Sequence, residues 1–119
     1  MSVSLKVYNE AEIKEKLATE LPGWSVEDNH LRRVYKTDGW QTTLMVVNTI
    51  AFFAEAADHH PDLTVSWPKV DVSLQTHSSG GITDMDVALA KQIEAAVLWR
   101  PTADSVFKGG TSKKWVSGG

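Results

Sequence analysis

The 119-residue sequence contains no cysteine, which excludes a disulfide framework, a thiolate nucleophile and a thiolate-bound metal. It also lacks an excess of positive charge, since 12 Lys and Arg residues stand against 15 Asp and Glu residues and the formal net charge is −3. Without a basic field, neither nucleic acid nor an anionic membrane surface is expected as a partner.

Long hydrophobic runs are missing as well. Residues 1–6 lack the apolar stretch of a secretory signal, and no segment is apolar enough to span a bilayer, so we expect a cytoplasmic protein. The length favours one domain, which we place at residues 1–100. Residues 101–119 contain glycine pairs and lysines that are typical of a mobile tail, which Trp115 could tether to the domain.

Capping patterns predict the first and last of three helices. Asn9 and Glu12 have the spacing of a capping box, and apolar residues then recur every four positions until a Pro-Gly pair ends the helix. Thr83 and Asp86 repeat this spacing at the start of the last helix, which runs to about Trp99 before a proline. Asp86 is therefore interpreted as a structural cap rather than a chemical group.

The middle helix, predicted at residues 39–57 with Asp38 as its cap, carries two apolar stripes. The stripes are Leu44, Val47, Ala51 and Ala54, and Val46, Ile50, Phe53 and Ala57. Together they cover more than half of the helix circumference, whereas a domain this small has one core to bury one stripe. We expect the second stripe, through Val46, Ile50 and Phe53, to pack on another subunit; a deeply buried central helix is the alternative.

Alternating apolar and polar residues predict four strands between these helices. The strands are residues 24–26, 31–36, 62–66 and 70–76. The order α-β-β-α-β-β-α predicts an α+β fold, a two-layer sandwich in which three helices cover one face of a four-stranded antiparallel sheet. His30 falls in the polar turn of the first hairpin, where a solvated side chain is expected rather than a ligand.

The end of the middle helix carries the candidate site. Proline disfavours the α conformation in the residue before it, so Pro61 predicts an extended His60 and a helix end near Asp58. His59 and His60 can then point in different directions, with Glu55 and Asp58 near enough to orient them.

His77 lies at the far end of the last strand and shares its parity with the polar positions, so it points away from the apolar face. The hairpin at residues 62–76 could return it toward His59 and His60. Three converging imidazoles, with an unperturbed pKa near 6.5, can divide the roles of general acid and general base. Zinc is the competing interpretation, although histidines adjacent in sequence rarely both reach one ion. No serine has the setting of a nucleophile.

These residues together resemble the signature of the pterin-4a-carbinolamine dehydratases. The matching pattern is Glu55-x3-His59-His60-Pro61, Trp67, Thr76-His77, Gly81 and Asp86, together with the strand at residues 69–77. The spacings agree without gaps, and weaker similarity extends the resemblance to residues 22–97. Leu63 and Thr64 depart from the family, whose members often carry aromatic residues there.

The resemblance implies a carbon–oxygen lyase. 4a-Hydroxytetrahydropterin would lose water to give a quinonoid dihydropterin, in the recycling of the tetrahydrobiopterin that aromatic amino acid hydroxylases use. It also implies no metal, no cofactor, and homodimers or homotetramers built through sheet edges or the second helix. The alternative, on the same fold, is a non-enzymatic coactivator or assembly-factor module. The retention of the three histidines argues against a purely degenerate copy but leaves a dual role open.

The resemblance further implies roles for the site residues. His60 and His77 would transfer protons, and His59 would contact the pterin and assist. The implied substrate-binding residues are Glu55, Asp58, Trp67 and Thr76. The two carboxylates would orient imidazoles, the threonine would bind the polar edge of the pterin, and the tryptophan would either supply an aromatic wall or belong to the core.

Overall fold

Helices and hairpins alternate along the chain in the predicted order. The computed structural model describes residues 5–108 and 114–118. Its helices are α1 Glu10–Glu20, α2 Trp40–Ala57 and α3 Asp84–Val97, with a 3-10 helix at His77–Ser79. Its strands are β1 Ser25–Glu27, β2 His30–Thr37, β3 Asp62–Ser66, β4 Lys69–Leu74 and β5 Val116–Ser117.

The sheet is antiparallel, with the strand order β1-β2-β4-β3. This confirms the predicted α+β fold, to which β5 adds a short fifth strand beside β2. β5 pairs with Lys36 and Thr37, at the end of β2 that lies away from the first hairpin turn. Among the described residues, no helix is long and apolar enough to cross a membrane.

The C-terminal segment is tied to the domain by its backbone. Val116 is buried, and its carbonyl oxygen accepts a hydrogen bond from the Arg100 guanidinium over 2.6 Å. The Asp38 N–H donates to the Trp115 carbonyl over 3.0 Å. Residues 114–118 thus contact the domain, and the contacts include Trp115, the residue named above as a possible tether. The remaining glycine-rich part of the predicted mobile tail, residues 109–113 and 119, lies outside the described residues.

Helix capping follows the sequence at two of three helices. Both predicted capping boxes form, at Asn9 and at Thr83. The cap predicted at Asp38 is wrong, because α2 begins one residue later, with Gly39 at its N-cap and no side-chain hydrogen bond from that residue. The Asp38 side chain is exposed, while its backbone bonds the C-terminal segment.

The core lies between the helices and one face of the sheet. Alternate residues of β2 and β4 are buried, as a period of two predicts. The largest contributors include Leu31, Tyr35, Val70, Val72 and Leu74 from the sheet and Ile13, Leu17, Ile50 and Ile93 from the helices. This packing fixes α2 and α3 side by side over the sheet.

The side of α2 that faces the sheet is the stripe that was predicted to face another subunit. Val46 and Ile50 are 4% and 0% exposed and belong to the core, and Phe53 packs partly buried against it. The interface predicted there is therefore wrong for Val46 and Ile50, because the chain's own core covers them, whereas Phe53 stays partly exposed. The large apolar residues that α2 leaves exposed are Trp40, Leu44, Met45 and Phe52.

Candidate active site

The corner between α2 and β3 carries two histidines that face opposite environments. Asp58 ends the helix as predicted, in the left-handed conformation with φ 50° and ψ 44°. The His59 N–H still donates to the Ala54 carbonyl over 3.1 Å, after which the chain leaves the helix. His59 is buried, whereas His60 is exposed.

His59 is held by a buried carboxylate. Its Nε2 lies 2.6 Å from Oδ1 of Asp86, a residue with no exposed surface. The other carboxylate oxygen accepts the Thr76 hydroxyl over 2.7 Å and the Thr83 N–H over 2.9 Å. Because a carboxylate accepts hydrogen bonds, a neutral His59 carries its proton on Nε2, which leaves Nδ1 as the nitrogen for a ligand.

The interpretation of Asp86 as a cap alone is incomplete. The residue does close the capping box of α3, but it also fixes the ring of His59, which lies on another element. The signal available in the sequence was the place of Asp86 in the family signature. Thr76 is 3% exposed and donates its hydroxyl to Asp86, so its side chain supports this carboxylate instead of being free for a pterin.

His60 lies on the exposed side of the corner, paired with Glu55. Its Nε2 is 2.6 Å from the Glu55 carboxylate, and the two side chains are 55% and 80% exposed. Such a surface pair contributes about 0–1 kcal/mol to stability, so its effect is to orient the imidazole. Among the described residues, the Asp58 side chain forms no hydrogen bond with either histidine. Asp86, rather than Asp58, orients His59.

The strand register shows how His60 relates to the neighbouring strand. β3 pairs with β4 so that Asp62 stands opposite Ser73. Extended beyond the paired residues, this register would set His60, two positions away, opposite Gln75 and His59, three positions away, opposite Thr76. The shared hydrogen bonds of Asp86 to His59 and Thr76 agree with that alignment.

His77 begins the 3-10 helix just past β4, with an exposed side chain. Its ring packs edge-on against His30, with ring centroids 6.5 Å apart and an interplanar angle of 63°. The register of β2 with β4 places His30 opposite Gln75, on the other flank from His60. The structure thus brings His30 and His77 together, while His60 is exposed at the corner before β3.

The three signature histidines differ in their burial, and their predicted convergence on one substrate stays a prediction. His59 is buried and bonds Asp86, whereas His60 and His77 are exposed. No hydrogen bond links these three imidazoles within the described part of the chain. His30, which the sequence assigned to a solvated turn, is half-buried against His77 and was missed.

A cleft of about 410 Å³ opens between α2 and α3 next to His59. Its lining residues are Phe53, Ala56, Ala57, His59, Met85, Ala88, Leu89 and Gln92. The walls are mostly apolar, and His59 is the one signature histidine among them. An apolar cleft with few polar groups suits the body of a small organic ligand.

Trp67 lies away from this group of histidines. It sits in the β3–β4 turn with 66% of its surface exposed. The five residues of β3 separate that turn from the corner that carries His59 and His60. At 3.4 Å per residue, this separation is roughly 17 Å. Within one chain, Trp67 therefore does not form a wall beside His59 or His60.

Fold and site together define an α+β domain with an imidazole–carboxylate site at one end of its sheet. The sequence matches the family described as pterin 4 alpha carbinolamine dehydratase over residues 6–96. The chain belongs to this family, as its motifs predicted.

Relatives and a solved structure agree with that assignment. A protein of Aquifex aeolicus named "putative pterin-4-alpha-carbinolamine dehydratase" is 47% identical over 89 residues, which cover 75% of this chain and 89% of the relative. A protein of the same name from Roseiflexus castenholzii is 42% identical over 89 residues, covering 75% and 95%. The crystal structure of a transcriptional coactivator/pterin dehydratase from Brucella melitensis has a TM-score of 0.71 and 31% identity, and the match covers 77% of this chain and 99% of that one.

Proposed function

We propose that this protein removes water from 4a-hydroxytetrahydropterin to give a quinonoid dihydropterin. The observation that carries the proposal is a pair of imidazole–carboxylate contacts at one corner, His59 with Asp86 and His60 with Glu55, each 2.6 Å long. They stand in a chain of the dehydratase family. The physiological setting would be the recycling of tetrahydrobiopterin after aromatic amino acid hydroxylation.

The reaction needs one acid and one base. The carbinolamine hydroxyl leaves as water once it is protonated, and the cation that remains is relieved when a ring nitrogen loses a proton. His60 and His77, which are both exposed, would carry these two protons. His59 would offer Nδ1 to the pterin, because Asp86 holds its Nε2.

Rapid-mixing kinetics with 4a-hydroxytetrahydropterin test the reaction. The wild type should accelerate the loss of water, and His60→Gln and His77→Gln should each lower kcat by roughly 10²- to 10⁴-fold, the usual contribution of a proton-transfer group. Lys36→Ala, at the exposed end of β2 that lies away from the first hairpin turn, serves as a control and should leave kcat unchanged. A double histidine variant that keeps the wild-type rate would refute the proposal.

A second copy of this chain is the proposed partner. Trp40, Leu44, Met45 and Phe52 expose apolar surface on one side of α2, and Phe52 is 70% exposed. β3 is also at the end of the strand order, so its outer edge is free to pair within the described part of the sheet. A dimer or tetramer that buries both surfaces would remove them from water.

Light scattering after gel filtration tests this assembly. Phe52→Glu should shift the protein to a smaller species, whereas Ala18→Glu, which adds the same charge to an exposed position of α1, should not. A wild type that is monomeric at tens of micromolar, or a Phe52→Glu variant of unchanged mass, would argue against α2 as the interface. The coactivator function named for the Brucella protein remains the alternative use of this surface.

A further inference from the structure

The turn between β1 and β2 is docked onto the loop that carries His77. Asp28 and Asn29 both have left-handed backbones, with φ of 50° and 59°, which suits a two-residue hairpin turn. The Asn29 side chain donates to the Gly80 carbonyl over 3.3 Å. The Gln75 side chain donates to the Asn29 carbonyl over 3.0 Å, so the two segments are joined on both sides of His77.

His30 provides the contact that reaches His77 itself. Its Nδ1 is 2.6 Å from the Asp28 carbonyl, and since a carbonyl accepts, Nδ1 carries the proton. This bond fixes the plane of the His30 ring. The edge-on contact with His77, 6.5 Å between centroids, then limits the orientations open to the His77 imidazole.

We propose that His30 is a positioning residue for His77, an inference that rests on the proposed function of His77 in proton transfer. The His77 side chain is exposed and has no hydrogen-bond partner among the described residues, so the ring of His30 is its packing support. A proton-transfer group must hold its geometry, because a displacement of about 1 Å can reduce the rate roughly 100-fold. The role of His30 is to keep His77 in one orientation, without contact to the pterin.

Kinetics of His30→Ala and His30→Phe test this role. His30→Ala removes the ring and should lower kcat about tenfold with KM unchanged. This loss is smaller than the roughly 100-fold loss expected when a catalytic group is displaced by about 1 Å. His30→Phe keeps a ring edge against His77 and should retain kcat within about twofold. Lys36→Ala, at the exposed far end of the same strand, is the matched control and should behave as wild type.

Nuclear magnetic resonance of the imidazoles gives a readout that does not depend on activity. The ring signals of His77 should shift and broaden in His30→Ala and stay near their wild-type positions in His30→Phe. His77 signals that do not move in His30→Ala overturn the proposal, as does an unchanged kcat. An equal loss of kcat in both variants also overturns it, since a ring edge at position 30 would then not be what supports His77.

The two readouts separate this inference from the proposed function. If the wild type fails to dehydrate the pterin, the proposed reaction is wrong. The resonance shifts still decide whether His30 orients His77.

Discussion

At the scale of single residues, Asp86 joins the fold to the site. One carboxylate closes the N-terminus of α3, receives the Thr76 hydroxyl and holds the His59 imidazole. Its complete burial leaves no water to replace any of these partners. Stability and orientation of the site therefore depend on the same two oxygen atoms.

Replacing Asp86 by alanine should lower the free energy of unfolding by about 3 kcal/mol, since buried donors lose their acceptor at about 1–3 kcal/mol each. The rate of dehydration should fall as well, because His59 loses its fixed tautomer. Urea denaturation measures the first effect and rapid-mixing kinetics the second. Asp38→Ala, an exposed aspartate without a capping bond, is the control and should change stability by less than about 0.5 kcal/mol.

Tyr35 is a buried group whose ionisation should destabilise the fold. Burial and the hydrogen bond to Glu94, 2.6 Å from its hydroxyl, raise the pKa of Tyr35 well above the ordinary 10.0. Because the pKa of Tyr35 is raised in the folded state, its protonated hydroxyl stabilises the fold fully below pH 10. This stabilisation is lost as the pH rises further. This group alone can lower the free energy of unfolding by at most about 1.4 kcal/mol per pH unit above 10.

Denaturation experiments between about pH 8 and 11 check the direction of this change in unfolding free energy, because a tyrosine in the unfolded chain titrates near 10. The wild type should lose stability faster above pH 10 than Tyr35→Phe. Tyr8→Phe is the comparison variant: its hydrogen bond to Asp84 raises the pKa of Tyr8, but this ring is only half-buried. Identical slopes for wild type and Tyr35→Phe would show that Tyr35 does not control the alkaline limit.

At the scale of elements, an ion pair connects α3 to the sheet beside β5. The guanidinium of Arg33, 8% exposed, donates to both oxygens of Glu94 over 3.0 and 2.8 Å. A further bond from Arg33 reaches the Gly23 carbonyl. β5 ends close by, since a Cβ placed on Gly118 would lie 2.0 Å from this guanidinium. Gly118, just past β5, thus lies against this ion pair, and a side chain at that position would collide with the Arg33 guanidinium.

Val116→Ala should reveal how much β5 contributes. Val116 is 5% exposed, and the loss of its methyl groups should cost about 2 kcal/mol of unfolding free energy. Ser117→Ala, the exposed neighbour in the same strand, should be nearly neutral. Because β5 pairs with the end of β2 remote from His30, both variants should keep the wild-type kcat, and a lost rate in Val116→Ala would contradict this separation.

At the scale of the whole molecule, the site is built from imidazoles and carboxylates that pair with one another. The described residues contain no group of three His, Asp or Glu side chains arranged to hold a metal ion. Because the family resemblance implies a reaction without metal, we predict that dehydration proceeds at the same rate after exhaustive treatment with a chelator. Loss of activity that added zinc restores would contradict this prediction.

Much of the fold could be read from the sequence. Both capping boxes, the end of α2 at Asp58 and the alternation along β4 depend on neighbours within about four positions, so short-range rules describe them. The stripe of α2 that meets the sheet could not be chosen this way, because two apolar stripes compete and only docking on the rest of the chain decides between them. Val46 and Ile50 were accordingly assigned to the wrong surface.

The same distinction between local sequence and tertiary packing applies to the site. By itself, the sequence determined the family, the fold class and the identity of the three signature histidines, since these follow from residue types at fixed spacing. Tertiary structure alone decided that His59 bonds Asp86, 27 positions away, that Thr76 supports this carboxylate, and that His30 packs on His77. Such contacts join different elements, and their geometry is set by how helices and strands pack rather than by any local pattern.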